Sequence, residues 1–357
     1  MDVESKFDLI KQVGEEILTE EELKHLLNTK EHPIAYDGFE PSGTDIHIAQ
    51  GILRAININK MTKAGVKFKM LVADWHAWAN NKMSGDLEKI QAVGRYLIEV
   101  WKHCGMDLKN VEFVWANDFV KEPEYWKKVM QVARNSTVNR IIRTGQIMGR
   151  KEGEMQQASQ ILYPCMQCAD IFHLKADITQ LGMDQRKVNV LARELGLSLG
   201  FWKPVVVSHH MLMGLNKPPE GVTDPAEKAI AMKMSKSIPD SSIFMTDSAE
   251  EVKRKISKAY CPQQIDENPM IEYMRYIIFE SFDEIRIDRP SKFGGDIIYR
   301  SFNDLAKDFA EGRLHPMDLK NATAHYINEL LEPVRKHFSK GKPKELAEFV
   351  RKQQVTR

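Results

Sequence analysis

The chain is expected to be α/β: a parallel sheet with helices on both faces, interrupted by a helical insertion and followed by an α-helical C-terminal part. Three observations point there. Short, mostly apolar runs such as Phe68–Ala73 and Val111–Trp115 alternate with longer segments of helical spacing, the pattern of strands covered on both faces and joined by right-handed crossovers. From about Pro123 to Leu174 only helical spacing remains. After Phe244, Ser248 with Glu251 reads as a helix cap, and the chain stays mainly helical to its end.

Composition sets outer limits. The 357 residues, 43% hydrophobic and 28% charged, suit a soluble globular protein of two domains. A net charge of +1 leaves nucleic-acid binding to local patches rather than to a global basic field. Cys104, Cys165, Cys168 and Cys261 are too few for a disulfide scaffold, and a reducing, cytoplasmic setting is expected. Met1 to Ile17 carries several acids and no long apolar run, so neither a signal nor a transit peptide is expected. No apolar run is long enough to span a bilayer, so no membrane partner is expected.

Taken in order, residues 4–28 read as helical, with Thr19 and Glu22 forming a capping box ahead of Leu23, Leu26 and Leu27. Ala35 to Gly51 reads as the end of a buried strand, a Gly/Pro/Ser turn, and a helix that opens near His47 and runs to about Ala64. Such a turn aims the free N–H groups of the helix at one spot and favours an anion there. No G-x-x-x-x-G-K-[ST] and no G-x-G-x-x-G is present, so this would be a phosphate site of another kind. The amide of Gln50 could add a hydrogen bond. Asp86 caps a helix carrying Leu87, Ile90, Val93, Leu97 and Val100, and Val111–Trp115 is a strand. In the insertion no acid occurs between Val129 and Lys151, whereas Arg134, Arg140, Arg143, Arg150 and Lys151 do. That stretch reads either as a solvated face or subunit contact, or as a patch tracking RNA phosphates. The sheet resumes at Ala176–Leu181; Gly182 to Lys187 turns into another helix, and Pro204–Val207 is a last short strand. Gly214 to Pro239 is a long aperiodic segment, of the kind that is usually functional or disordered. A domain boundary is placed near Ile243.

Two stretches carry chemistry. On a helix, Tyr163, Gln167 and Asp170 share one face, which can hold a small zwitterion or a phenol. Cys165 and Cys168 lie about 140–200° away on that helix. Their C-x-x-C spacing lacks further ligands, so packing and no metal site is the expectation. Lys233-Met234-Ser235-Lys236-Ser237 places two ammonium groups on a loop. A closing loop would set them against charge that builds on a pyrophosphate leaving group.

Together these stretches resemble the HIGH and KMSKS signatures of class I aminoacyl-tRNA synthetases. KMSKS is matched in full. His47 stands for the first histidine of HIGH, while Ala49 and Gln50 replace its glycine and second histidine. Over nearly its whole length the chain is similar to tyrosyl-tRNA synthetases of the archaeal and eukaryotic cytosolic type. The resemblance is carried by Tyr36 with Gly38–Gly43, Ala73–Ala77, Tyr163–Asp170, Gly182–Lys187, KMSKS and His315–Asn321. It implies a Rossmann-like catalytic domain over 1–242, with its insertion at about 123–174 and its KMSKS loop at 233–237, and a helical anticodon-binding domain over 243–357. It implies that Tyr36 and Asp170 bind the phenol hydroxyl of tyrosine and that Tyr163, Gln167 and Gln185 hold its α-amino group. ATP, with Mg²⁺ carried by the nucleotide, would lie across Gly38, Ser42, Gly43 and the His47 helix start and under Lys233, Met234 and Ser235. His47, Gln50, Lys233 and Lys236 would be the catalytic groups. A homodimer through the insertion is implied, with tRNA reaching both subunits near Arg140, Arg143 and Arg186. A tryptophanyl-tRNA synthetase is the nearest alternative; Tyr36 and the Gly-Met-Asp-Gln-Arg turn stand against it. A non-catalytic paralogue would have lost His47, Lys233 or Lys236, and all three are present.

His315-Pro316-Met317-Asp318 opens a helix and reads either as a plain cap or, by the resemblance, as a reader of the anticodon. A guanine offers donors to the Asp318 carboxylate and a face to the His315 ring, with Cys261 bordering the same pocket. Replacing Asp318 by Ala is expected to cost aminoacylation about 1–3 kcal/mol and to leave tRNA-independent pyrophosphate exchange intact; a joint fall of both activities and of the melting temperature would make Asp318 a structural cap. Lys236→Ala should slow tyrosine activation by roughly two to three orders of magnitude with tyrosine affinity unchanged, as read by pre-steady-state kinetics.

Overall fold

A computed structural model describes residues 1–149, 157–219, 221, 231–234 and 238–353. The first segment folds as helix α1 (Val3–Lys11), strand β1 (Gly14–Leu18) and helix α2 (Glu20–Thr29). The expected continuous helix over 4–28 is thus broken by a strand. Its short Gly-Glu-Glu-Ile-Leu run has no periodicity of its own and is extended only because it pairs antiparallel with a distant strand. The capping box of Thr19 and Glu22 forms as expected.

The sheet core follows. β2 (Ile34–Phe39) leads through the turn into a π-helical turn, Ala49–Leu53, and then α3 (Arg54–Lys63). The helix opens where expected but with a wider first turn, a feature common at functional sites. β3 (Lys67–Val72), α4 (Asp74–Ala79), α5 (Leu87–His103, capped by Asp86) and β4 (Val111–Trp115) complete the first half. The insertion is helical, with α6 (Ala116–Phe119), α7 (Pro123–Arg134), α8 (Val138–Thr144) and α9 (Ala158–His173). β5 (Ile178–Thr179), α10 (Arg186–Gly196) and β6 (Val205–His209) return to the sheet.

The strand order is β1-β6-β5-β2-β3-β4, parallel except for β1. From β2 the chain runs outward one way through β3 and β4, then returns to build β5 and β6 on the other side. The reversal between β2 and β5 is a topological switch point, and the crevice lies beyond the strand carboxyl ends there. β5 is shorter than the expected Ala176–Leu181 strand, although Asp177 and Gln180 still donate backbone bonds to β2.

Beyond residue 243 come α11 (Ala249–Lys258, capped by Ser248), α12 (Pro269–Tyr273), α13 (Phe302–Ala310), α14 (Pro316–His337) and α15 (Gly341–Arg351). A two-stranded antiparallel hairpin of β7 (Ile285–Ile287) and β8 (Ile297–Tyr299) interrupts the expected, mainly helical pattern. Its apolar residues Ile285, Ile287 and Tyr299 are buried, so packing rather than local propensity selects the strands. One apolar cluster runs from Phe7 and Ile10 through Trp101 to Leu331 and Val350, and so takes in residues on both sides of 243. A second lies between the sheet and the insertion and includes Tyr125, Val129, Cys168 and Leu191. Among the described residues no helix is long and apolar enough to cross a membrane.

His210, just past β6, ties three parts of the chain together. Its Nδ1 lies 2.8 Å from Glu15 of β1, its Nε2 lies 3.1 Å from Glu272 of α12, and its ring stacks on Tyr276. Burial by itself would lower the imidazole's pKa, but the two carboxylates outweigh it and raise it to about 9. A folded-state pKa above the unfolded value means that the stabilisation is complete below pH ~6.5 and is lost as pH rises through about 9. Urea unfolding should therefore show the wild type losing more stability between pH 6.5 and 9.5 than His210→Gln, and equal losses would refute the clamp.

Candidate active site

The crevice at the switch point holds a cavity of about 310 Å³. Its floor comes from β2, α4 and α9. Asp170 of α9 is fully buried, and its Oδ1 accepts a 2.9 Å hydrogen bond from Tyr125 Oη of α7. His76 Nε2 of α4 lies 2.9 Å from the other oxygen, Oδ2, without the alignment of a hydrogen bond. Oδ2 is left with no hydrogen-bond partner among the described residues. Burial would lower the His76 pKa, yet the neighbouring Asp170 charge prevails and raises it. Tyr36, on central strand β2, is buried beside them; burial first and the Asp170 charge second hold its hydroxyl firmly protonated. The same two causes keep Tyr125 protonated.

One wall is polar. Tyr163 Oη donates to Glu40 Oε2 at 3.0 Å, and Asn80 Nδ2 reaches the same oxygen at 3.1 Å. Gln167 Nε2 donates to Gln185 Oε1 at 3.0 Å, and Gln185 in turn donates to the carbonyl of Ile147. Tyr163, Gln167 and Asp170 do share one helix face, and that face lines the cavity. Cys165 and Cys168 are buried in the packing behind it. Burial pushes the Cys165 thiol up to about 11 and Cys168 higher still, the opposite of an activated thiolate.

The far end of the cavity is the expected anion site. Gly38, Ser42, His47 and Gln50 line it, as do Lys233 and Met234. Gly43 belongs to the same turn but is not part of the lining. Ser235 and Lys236 lie outside the described residues, as do Arg150 and Lys151. Lys233 Nζ reaches across to Asp184 Oδ2 at 2.9 Å. The turn and the segment after the lysine loop are stitched together: Ile48 donates to the Ile243 carbonyl at 2.9 Å and Met245 to that of Ile46 at 2.8 Å. Gly51 permits this close packing: a Cβ there would stand 2.3 Å from Met245 Sδ and force that side chain to move. Half-buried Asp45 secures the turn, accepting from Tyr96 Oη, the Ile46 backbone and Thr246.

The residues assigned to RNA lie elsewhere. Arg140 pairs with Glu194, and Arg186 with Glu16 at 2.8 Å; Arg186 is exposed and Arg140 partly so. Arg143 shares helix α8 with Arg140 and donates to the Asn139 carbonyl. His315 caps α14 by accepting from the Met317 backbone, so the cap reading of this ring holds in the folded chain. Asp318 sits in the first turn of that helix. Cys261 takes a weak bond from Asn268 and lies near the Lys320 ammonium.

Several groups in or beside the cavity were not singled out from sequence. His76 stands at the carboxyl end of β3, and that position is the signal that could have found it. Glu40 follows β2 in the same way. Tyr125 has no such mark, since its spacing with Val129 and Val132 is simply that of a core face. The buried pair of Asp37 and Arg54, 2.8 Å apart, joins β2 to α3 under the anion site; burial raises Asp37 to about 6 against the pull of Arg54.

Comparison with known proteins gives a consistent picture. Residues 28–332 match the family profile described as tRNA synthetases class I (W and Y). The chain is 50% identical to the cytoplasmic tyrosine--tRNA ligase 1 of Arabidopsis thaliana, over all of this chain and 90% of that one. It is 45% identical to the tyrosine--tRNA ligase of Thermococcus kodakarensis, over the full length of both. The crystal structure of the Pyrococcus horikoshii tyrosyl-tRNA synthetase complexed with L-tyrosine superposes with a TM-score of 0.90 at 41% identity, covering 98% of this chain and all of that one. A tryptophanyl-tRNA synthetase from Plasmodium falciparum reaches 0.68 at 16% identity and shares the fold alone. With a profile match across most of its length and full-length relatives at this identity, the chain belongs to the class I tRNA synthetases, in the tyrosine--tRNA ligase family.

Proposed function

We propose that the cavity joins tyrosine to ATP and passes the tyrosyl group to its tRNA, with each stage assigned to the residues described above. The observation that carries the reading is the buried Asp170 carboxyl group in the cavity lining, whose Oδ2 has His76 Nε2 at 2.9 Å but no aligned hydrogen bond. A buried carboxylate oxygen with no donor is costly unless a ligand supplies one. A phenol O–H entering between Tyr36 and Asp170 does so. The tyrosine-bound Pyrococcus horikoshii relative supports this choice of ligand. Tyr125 and His76 are positioning groups that fix the Asp170 carboxylate from behind. At the other end of the amino acid, Glu40, Tyr163, Gln167 and Gln185 receive the α-ammonium group.

No side-chain nucleophile is needed, because the substrate carboxylate is already ionised. One of its oxygens attacks the α-phosphorus, a carboxylate–phosphorus bond forms, the bond to the bridging oxygen breaks, and pyrophosphate leaves. ATP is a substrate here, with Mg²⁺ accompanying its phosphates. His47, the Gln50 amide and the helix start bind the nucleotide, with Gly38, Ser42 and Gly43 allowing its close approach. Lys233 must leave Asp184 to join Lys236 on the departing phosphates, which makes loop closure part of the activation step. A ribose hydroxyl of the tRNA then attacks the carbonyl carbon and AMP departs.

The same proposal takes residues 1–242 as catalytic and 243–357 as reading the anticodon through His315, Asp318 and Cys261, with Arg140, Arg143 and Arg186 along the tRNA path. It includes a homodimer through the insertion, which Met130, Val138, Ile161 and Leu162 support as exposed apolar side chains on α7, α8 and α9. A cytoplasmic setting fits the name of the Arabidopsis relative.

Pyrophosphate exchange into ATP is the test. Tyrosine should drive it and tryptophan should not. Asp170→Ala or Tyr36→Phe should narrow the preference for tyrosine over phenylalanine, since the unpaired-group penalty against phenylalanine disappears. Wild-type discrimination in both variants would remove the phenol-binding assignment.

A further inference from the structure

We propose that Glu99, His103 and His337 form a site for a divalent cation of the zinc class, stapling the end of α14 to the end of α5. Among the described residues they are the one group of three or more His, Cys, Asp and Glu side chains whose ligand atoms come together, all within 4.8 Å of one another. The set is of the His/His/carboxylate type that zinc accepts, with a water completing the tetrahedron.

The arrangement around these atoms is that of a prepared site. Glu99 and His103 stand four apart on α5, on one face of the helix. His103 Nδ1 lies 2.9 Å from the Glu99 carbonyl oxygen. That contact fixes the tautomer with its proton on Nδ1 and leaves the Nε2 lone pair for a metal, the usual outer-shell partner of a ligating histidine. Glu99 Oε1 is engaged by Lys102 at 2.8 Å, so Oε2 is the oxygen that faces His337, 3.0 Å from its Nε2. The two imidazole rings stack with centroids 3.5 Å apart. Binding replaces the proton between His337 and Glu99 by the cation, the proton goes to solvent, and the two rings turn out of their stack so that both Nε2 lone pairs meet the ion. A cavity of about 660 Å³, bordered by Glu99, Lys102 and Lys342, opens beside the carboxylate and gives solvent a path to it.

The site lies outside the catalytic cavity, and its consequence is mechanical. α14 has 22 residues, about 33 Å of helix, with His315 at its start and His337 at its end. A cation would pin the far end of this rod to the body that carries the sheet.

The test is equilibrium dialysis of the full-length chain against Zn²⁺ in excess Mg²⁺. The wild type should hold one zinc per chain and gain thermal stability from it. His103→Gln/His337→Gln should bind at least tenfold more weakly and gain nothing, with pyrophosphate exchange unchanged. Cobalt(II) bound to the wild type should show no thiolate charge-transfer band, which separates this site from the cysteines. Absence of stoichiometric zinc from the wild type, undiminished binding in the double variant, or a thiolate band would each overturn the proposal. Should the double variant fold poorly, the near-isosteric Glu99→Gln decides by the same criterion.

Discussion

The buried carboxylate of Asp170 sets the terms for everything around it. A carboxyl group at zero exposure is tolerable only if polar partners surround it, and the chain sends Tyr125 from α7, His76 from α4 and Tyr36 from β2 to the same place. One oxygen is satisfied by Tyr125 and the other is left toward the cavity. Under the proposed function that asymmetry makes the carboxyl group a recognition element, which a ligand hydroxyl at the right depth would complete. The insertion follows from the same constraint, because it supplies both Asp170 and the helix that carries Tyr125.

A second constraint acts at the other end of the cavity. The turn before α3 and the segment following the lysine loop are far apart in sequence, yet they are joined by backbone hydrogen bonds from Ile46 and Ile48 to Met245 and Ile243. Asp45 reinforces the joint through Thr246, and Gly51 lets the first helical turn pass against Met245. The loop is therefore anchored to the helix start it serves, while Lys233, held by Asp184 in this arrangement, remains within reach of whatever occupies the cavity. A lever with a fixed pivot suits a reaction in which cations are needed most in the transition state.

The C-terminal helices are not an appendage. They contribute to the apolar cluster that backs α5, and His210 with Glu15 and Glu272 bridges β1, the end of β6 and α12 at the edge of the cavity. Events at α14 and at the cavity are thus connected through packed elements rather than across a flexible linker.

Much of this was legible in the sequence, because local patterning and short motifs carry their own physics. The apolar runs of β2, β3 and β4, the caps at Thr19, Asp86 and Ser248, and the helix face of Tyr163, Gln167 and Asp170 depend on residues close in sequence. The Lys233–Ser237 motif and the His47 turn pointed to the family for the same reason, and the family is the one the relatives show. The strand Gly14–Leu18 and the hairpin of β7 and β8 were hidden, since their hydrogen-bond partners or buried faces come from elsewhere in the chain. Tyr125 looked like any core residue of an amphipathic helix, and its hydroxyl acquires a role only because α7 packs against α9 beside Asp170. The roles of Glu40, Asp184 and His76 are likewise set by what stands opposite them. The sequence by itself determined most of the elements, their order and the type of chemistry, where these are encoded at separations of a few residues. Only the tertiary structure decided which polar groups are buried together and which of their atoms remain unsatisfied, because burial and partnership are properties of distant segments brought into contact.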